Sequence, residues 1–202
     1  MRYVHHATAV RRLRQIADDC SKVNFPGDDP LVVAVYTFGP ILDNTEALDA
    51  VDIVLVLDES VGELSWGAEP QWTIGIVERL RLNKAPVRWY WRPAVWPVWN
   101  HLIRRPLRIW SLDGVEERAL TALTEGGAQE LRLADPTPQE LREETAMELA
   151  VAQSHLRQTQ EQYWDREWRR AHKGLGVYPE NHLWNAVWGY LDLLDAQRRL
   201  TS

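Results

Sequence analysis

Near the middle of the chain stands the run Val-Asp-Ile-Val-Leu-Val-Leu, at positions 51–57. Every residue of the run except Asp52 is apolar, and Val and Ile are β-branched. Such continuous apolarity predicts a strand that is covered on both faces, in the interior of a sheet. Residues 31–38 form a second run rich in β-branched and aromatic residues, and Gly39-Pro40 closes it. This second run predicts another buried strand.

The remaining elements of this half follow from hydrophobic periodicity and from Pro and Gly punctuation. Residues 24–30 hold Asn, Pro, Gly and Asp and predict a break after the first helix. The predicted elements are a helix over about 4–20, a helix over 72–82, a strand over 87–91, a helix followed by a strand at 107–110 within 100–110, and a helix over 115–123. This alternation predicts an α/β fold with a mixed sheet and flanking helices.

The C-terminal part of the chain is predicted to form two long helices. Thr137-Pro138-Gln139-Glu140 is a capping box with proline at the first helical position, which predicts a helix start. The apolar spacing then continues without a break to Gly174 and Gly176, and a second helix is predicted over Glu180–Arg199. A short loop between two such helices predicts an antiparallel hairpin. We therefore divide the chain into an α/β domain, residues 1–134, and a helical hairpin, residues 135–202.

Composition excludes several classes of function. A net charge of −6 and a pI of about 5.5 disfavour bulk binding to nucleic acid, which requires a basic domain. The single cysteine, Cys20, has no disulfide partner in the chain and no zinc-binding spacing. No apolar run approaches the length of about 20 residues that crosses a bilayer, so we expect no membrane insertion and a cytoplasmic protein.

The sequence spacing between Gly39 and Asp52 is informative about function. Phe38-Gly39-Pro40 is followed, after eleven residues, by Asp52-Ile53-Val54-Leu55. This pattern resembles the core of the nucleotidyltransferase superfamily, over about residues 2–110. In that family the glycine lets the backbone approach a triphosphate, and an Asp-x-Asp strand presents two carboxylates to Mg²⁺. The resemblance implies a nucleotidyltransferase-like sheet.

The chain departs from the family pattern at three places. Pro40 replaces a Gly or Ser and offers a phosphate neither a backbone N–H nor a hydroxyl group. Val54 stands where the second carboxylate is expected. The strand expected to carry the third carboxylate, residues 87–91, holds Arg88 and no acid. Because a two-metal site needs several oxygen ligands, these changes favour a member that has lost catalysis.

Three hypotheses about function follow. The first is a degenerate nucleotidyltransferase-like module that binds a nucleotide or a protein partner. Small bacterial proteins of this resemblance often pair such a domain with helices, sometimes in toxin–antitoxin systems. The second is an active transferase, in which the resemblance makes Asp52 the catalytic Mg²⁺ ligand and Gly39 the phosphate-facing glycine. In that hypothesis Arg88 or Arg92 binds the triphosphate. The third is a structural protein that forms a homodimer and has no nucleotide ligand.

Eleven tryptophans are the unusual feature of the composition. In the segment 89–110 they alternate with arginines, which suits either nucleotide stacking or a core covered by arginine side chains, and we favour the core. In the hairpin, Trp164 and Trp168, and likewise Trp184 and Trp188, are four residues apart. We expect these four to attach the hairpin to the sheet domain, with a dimer or partner interface as the alternative.

Overall fold

A computed structural model shows how these segments assemble. It describes residues 3–22, 32–43, 47–84, 86–173 and 178–201. The predicted break over residues 24–30, the first residue of the second apolar run, Leu31, and the hairpin glycines, Gly174 and Gly176, lie outside the described residues.

Strands and helices alternate through the first part of the chain, and helices alone make up the last part. The strands are β1 (Val4–His5), β2 (Val32–Phe38), β3 (Ala47–Leu48), β4 (Val51–Leu57), β5 (Val87–Pro93), β6 (Leu107–Ser111) and β7 (Gly114–Val115). The α-helices are α1 (His6–Lys22), α2 (Ile74–Arg79), α3 (Glu117–Glu125), α4 (Pro138–Gln162), α5 (Arg166–Ala171) and α6 (Pro179–Thr201).

The main sheet is mixed and has the strand order β5-β4-β2-β6-β7. β2 is antiparallel to both of its neighbours, β4 and β6, whereas β4 and β5 are parallel. All seven residues of β4 are buried, as the apolar run predicts for an interior strand. The predicted strands at β2, β4, β5 and β6 are therefore confirmed, and the protein is a mixed α/β protein.

Helices cover both faces of this sheet. Val35 lies opposite both Leu55 and Trp110, so these three side chains share one face, and there Trp110 Nε1 donates to Ser21 Oγ of α1 at 2.8 Å. The opposite face carries Arg92, which bonds to Glu148 of α4. The sheet is thus the middle layer between α1 and the C-terminal helices.

The hairpin begins where the capping box predicts. Thr137 accepts a hydrogen bond from the backbone N–H of Glu140, and the Glu140 side chain accepts one from the Thr137 N–H. α4 and α6 make extensive contacts with each other. Tyr163, at the end of α4, donates from its hydroxyl to Glu180, at the start of α6, at 3.3 Å, so the two helices run in opposite directions. The antiparallel packing predicted from the sequence is present.

Two predictions about helices are wrong. The segment before β6, residues 100–106, is not helical: Asn100 Oδ1 accepts from the backbone N–H groups of Leu102 and Ile103, which holds a turn instead. The first hairpin helix does not continue past Gln162. Asp165 caps a separate helix, α5, by accepting from the Trp168 N–H at 2.6 Å, because an Asp side chain competes for backbone donors within a helix.

This interruption changes the role of the hairpin tryptophans. Trp164 lies between α4 and α5 and is 79% exposed, and Trp184 is 69% exposed. Neither attaches the hairpin to the sheet, contrary to the prediction. Trp188 does so in part, since its ring lies 6.3 Å from that of Trp66, while Trp168 stacks on His172 at 4.1 Å.

A buried polar cluster joins the hairpin to the sheet instead. Arg92 of β5 is 1% exposed and contacts Glu144 and Glu148, which are both buried on α4. Ala152 of α4 and Leu193 of α6 also belong to the same hydrophobic core as the sheet residues. The two parts of the predicted division at residue 134 therefore share one core. Within the described ranges, no helix has both the length and the apolarity that a membrane span requires.

Candidate functional site

Gly39 and Asp52 lie side by side at one end of the sheet. Phe38, the last residue of β2, is opposite Asp52 in β4. Gly39 follows with φ of +74°, and a Cβ atom built on it would lie 3.1 Å from Asp52 Oδ2. A residue without a side chain is therefore required here both by backbone conformation and by the closeness of the carboxylate.

Arg88 forms an ion pair with the carboxylate of Asp52. The two residues are register partners on the parallel strands β5 and β4. Arg88 Nε donates to Oδ1 at 2.6 Å and Nη2 donates to Oδ2 at 3.0 Å, a bidentate pair that uses both oxygens. Asp52 is only 5% exposed, and its hydrogen bond is the main cause that raises the pKa of Arg88. Arg88 thus supplies the positive charge next to this carboxylate.

The neighbouring positions hold no further acid. Val54 and Tyr90 are the next register pair on the same face, two residues beyond Asp52 and Arg88. Burial raises the pKa of the Tyr90 hydroxyl, and the negative charge of Asp52 raises it further. Across the described residues, no three His, Cys, Asp or Glu side chains gather in a group suited to a metal ion. Val54 and Tyr90 thus give Asp52 no second carboxylate at the next position of this face.

Of the two arginines predicted to bind phosphate, only Arg88 faces the site. The Arg92 guanidinium donates to Glu148 at 2.6 Å, to Glu144 at 3.3 Å and to the Pro97 carbonyl at 2.6 Å. Its position under α4 excludes an external ligand, so the prediction for Arg92 is corrected: it is a structural residue. Arg104 and Arg108, from the same Arg- and Trp-rich segment, likewise pair with carboxylates.

A cleft of about 300 Å³ opens beside Arg88. One wall is β5, and the other is formed by residues 65–69 together with Asn185 and Trp188 of α6. The Trp66 ring stacks on Tyr90, with ring centroids 5.3 Å apart. The sequence predicted Arg88 at this site but not the second wall, because residues 65–69 and α6 are far apart in sequence and carry no shared pattern.

Glu69 is the other charged side chain that lines this cleft. Burial raises its pKa, and the hydrogen bond from Asn185 Nδ2, at 3.4 Å, opposes that effect. The described lining carries one cation, Arg88, and one carboxylate, Glu69, but Arg88 is paired with Asp52, so Glu69 has no cation of its own within that lining.

A second cavity, of about 790 Å³, lies between the hairpin and the loop that follows β4. His155, His172 and His182 line it together with polar and aromatic side chains. The His172 and His182 rings are 5.0 Å apart, and His182 Nε2 is buried with no hydrogen-bond partner among the described residues. Burial lowers the pKa of His155 and of His182, and for His182 the neighbouring histidines lower it further. His155 and His182 therefore favour their neutral form.

Comparison with known proteins places the chain in a family. A family model described as "Domain of unknown function (DUF7711)" matches residues 4–199. The chain belongs to the DUF7711 family. The match spans both the sheet and the hairpin, so the DUF7711 domain includes the Asp52–Arg88 pair and both walls of the cleft. No curated protein and no solved structure matches the chain.

Proposed function

We propose that this DUF7711 protein is a nucleotidyltransferase-like module that has lost catalysis and acts by binding a protein partner. The observation that carries the proposal is the bidentate pair between Arg88 and Asp52. In an active transferase the corresponding aspartate must be free to bind Mg²⁺. Here a guanidinium group occupies both of its oxygens, so a metal ion would first have to displace it.

The arrangement of the sheet supports the nucleotidyltransferase-like part of the proposal. Gly39 ends one strand beside the aspartate of the antiparallel neighbour, and the parallel strand β5 places its own residue next to that aspartate. The nucleotidyltransferase resemblance predicts such relative positions for the glycine and the carboxylates. In this chain the third carboxylate is replaced by the cation Arg88, and the second by Val54.

Charge favours a protein partner over a nucleotide. A triphosphate needs unpaired cations or metal ions to match its charge. The cleft beside Asp52 has one arginine, which is already paired, and the additional carboxylate of Glu69. Its aromatic wall of Trp66, Tyr90 and Trp188 suits the side chains of a polypeptide.

A thermal-shift panel tests this proposal. The protein is heated with each of the four nucleoside triphosphates, with and without Mg²⁺, beside a radiolabelled-nucleotide transfer assay. We expect no Mg²⁺-dependent stabilisation and no incorporated label. A rise in melting temperature that requires both Mg²⁺ and a nucleotide, and that disappears in Asp52→Asn, would instead support an active transferase and overturn the proposal.

A further inference from the structure

The outer edge of β5 carries backbone groups that have no partner strand among the described residues. β5 is the last strand on its side of the sheet. Val51 N donates to Pro86 O and Ala94 N donates to Leu57 O, both at 2.8 Å. Because bonding to one neighbour alternates along a parallel strand, the even-numbered residues of β5 direct their N–H and C=O groups at β4. Val87, Trp89 and Trp91 then direct theirs away from the sheet.

These outward groups face the cleft beside Arg88. The cleft is lined by all five consecutive residues 87–91. Side chains alone do not explain such a lining, since alternate residues of a strand point to opposite faces. The backbone edge itself must form part of the wall. An open strand edge of this kind is a template for pairing with another extended chain.

We infer that the cleft binds an extended polypeptide segment as an additional strand on β5, and that this segment carries a basic side chain that pairs with Glu69. The inference rests on the proposed partner-binding function and names the chemistry of the partner. Residues of the added strand beside Arg88 and Tyr90 point to the same face as these two, toward Trp66, Trp188 and Glu69. Basic side chains therefore fit this face, and apolar side chains fit the alternate positions, which point to the opposite face beside Val87, Trp89 and Trp91.

The shape of the cleft favours a single chain over a second copy of the protein. Residues 65–69, Asn185 and Trp188 stand across from β5 and close the far side. A single extended segment needs only the space next to one strand edge. The β5 edge of another folded copy would bring its own wall of residues 65–69 and α6 into the same space.

Amide hydrogen exchange tests the strand edge in the free protein. We expect the amides of Val87, Trp89 and Trp91 to exchange at least tenfold faster than those of Arg88, Tyr90 and Arg92, which are bonded to β4. The probe is a heptapeptide of alternating valine and lysine. Its addition should slow exchange at the three outward amides at least tenfold and leave the other three unchanged. Peptide binding without this alternation would overturn the inference, as would no binding.

Modified probes separate strand pairing from simple charge attraction. Two versions of the heptapeptide carry N-methyl groups, one on every valine amide and the other on every lysine amide. Only one set of amides can face β5, so exactly one version should lose its affinity, by at least tenfold, in a fluorescence anisotropy titration. Equal affinity of both versions would contradict backbone pairing. A heptapeptide of alternating valine and glutamate should bind at least tenfold more weakly than the lysine peptide.

Glu69→Gln should weaken binding of the lysine peptide roughly two- to fivefold, as expected for one pair at a rim. Glu63→Gln, which changes a carboxylate at the other cavity, is the matched control and should leave binding unchanged. Sedimentation without peptide distinguishes the alternative occupant: a stable dimer that loses its affinity in Trp188→Ala would assign the edge to a second copy.

The inference and the proposed function can fail separately. If the heptapeptide does not bind while Mg²⁺ and nucleotides have no effect, only this inference fails. A Mg²⁺-dependent nucleotide effect would overturn the proposed function itself.

Discussion

Gly67 and Gly189 pack backbone against backbone where the hairpin meets the loop after β4. A Cβ atom built on Gly67, whose φ is +79°, would lie 3.0 Å from Gly189 Cα. One built on Gly189 would collide with the carbonyl oxygen of Trp66 and lie 2.8 Å from its carbonyl carbon. The same contact sets the distance between α6 and the Trp66 wall of the cleft.

We expect Gly189→Ala to destabilise the protein by about 3 kcal/mol, at the upper end of the usual cost of overpacking, because only backbone atoms stand in the way. Gly75→Ala is the matched control. Gly75 lies in α2 with open space around its Cβ position, so alanine should be neutral or stabilise by up to about 1 kcal/mol. Urea denaturation of the two variants measures this difference. Equal stabilities would show that α6 can move away from residue 66 without cost.

The residues of the buried cluster around Arg92 should contribute unequally to the stability of the protein. Arg92→Met leaves Glu144 and Glu148 buried without their cation and should cost about 3–5 kcal/mol. Glu144 behaves differently, because burial, and after it the charge of Glu148, raises its pKa. The folded state therefore binds more protons than the unfolded state just above pH 4.5, and stability contributed by Glu144 falls as the pH rises through that window.

Glu144→Gln imitates the protonated form of that side chain. We expect it to be neutral or slightly stabilising at pH 7 and to reduce the loss of stability between pH 4.5 and neutral pH. The measurement is the free energy of unfolding in urea at several pH values. A loss at pH 7 as large as that of Arg92→Met would mean that the Glu144 charge is essential to the cluster.

The pair between Asp52 and Arg88 should be coupled energetically whether or not the protein has a ligand. A double-mutant cycle with Asp52→Asn and Arg88→Gln should give an interaction energy of about 1–2 kcal/mol, because Asp52 is buried and the contact is bidentate. The control is the exposed pair of Arg104 and Asp135, for which we expect about 0.5 kcal/mol or less. Similar values for both cycles would contradict a specific role for Arg88 as the partner of Asp52.

The histidine cavity should make the protein sensitive to mild acid. Since the pKa of His182 is lowered in the folded state, the unfolded state binds more protons below about pH 6.5, and stability falls as the pH falls through that region. His182→Gln should reduce the difference in melting temperature between pH 7.5 and pH 5.5. The exposed His5→Gln should leave that difference unchanged. The expectation fails if both variants lose stability in acid as the parent protein does.

Several features of the fold could be predicted from the sequence because their causes are local. The apolar run of β4 and the capping box at Thr137 act within a few residues, and each is found where the pattern places it. The cap at Asp165 is equally local, but the helical spacing on either side of it obscured the signal. Helix ends depend on one side chain, whereas periodicity averages over many.

The candidate site also has a part that the sequence predicted and a part that it did not. The resemblance implied that Gly39 and Asp52 lie close together. They do, because a strand, a short connection and an antiparallel strand return the chain to the same end of the sheet. Periodicity says nothing about which acid an arginine meets. Arg88 and Arg92 lie on one face of the same strand, yet the first pairs with Asp52 and the second with α4.

By itself the sequence determined four strands of the main sheet, β2, β4, β5 and β6, and most of the helices. Only the tertiary structure decided that Arg88 forms an ion pair with Asp52, that Arg92 is buried, and that the edge of β5 lines a cleft. The physical reason is distance along the chain: hydrophobic spacing and caps act over a few residues, whereas these contacts join segments that packing of the whole core brings together.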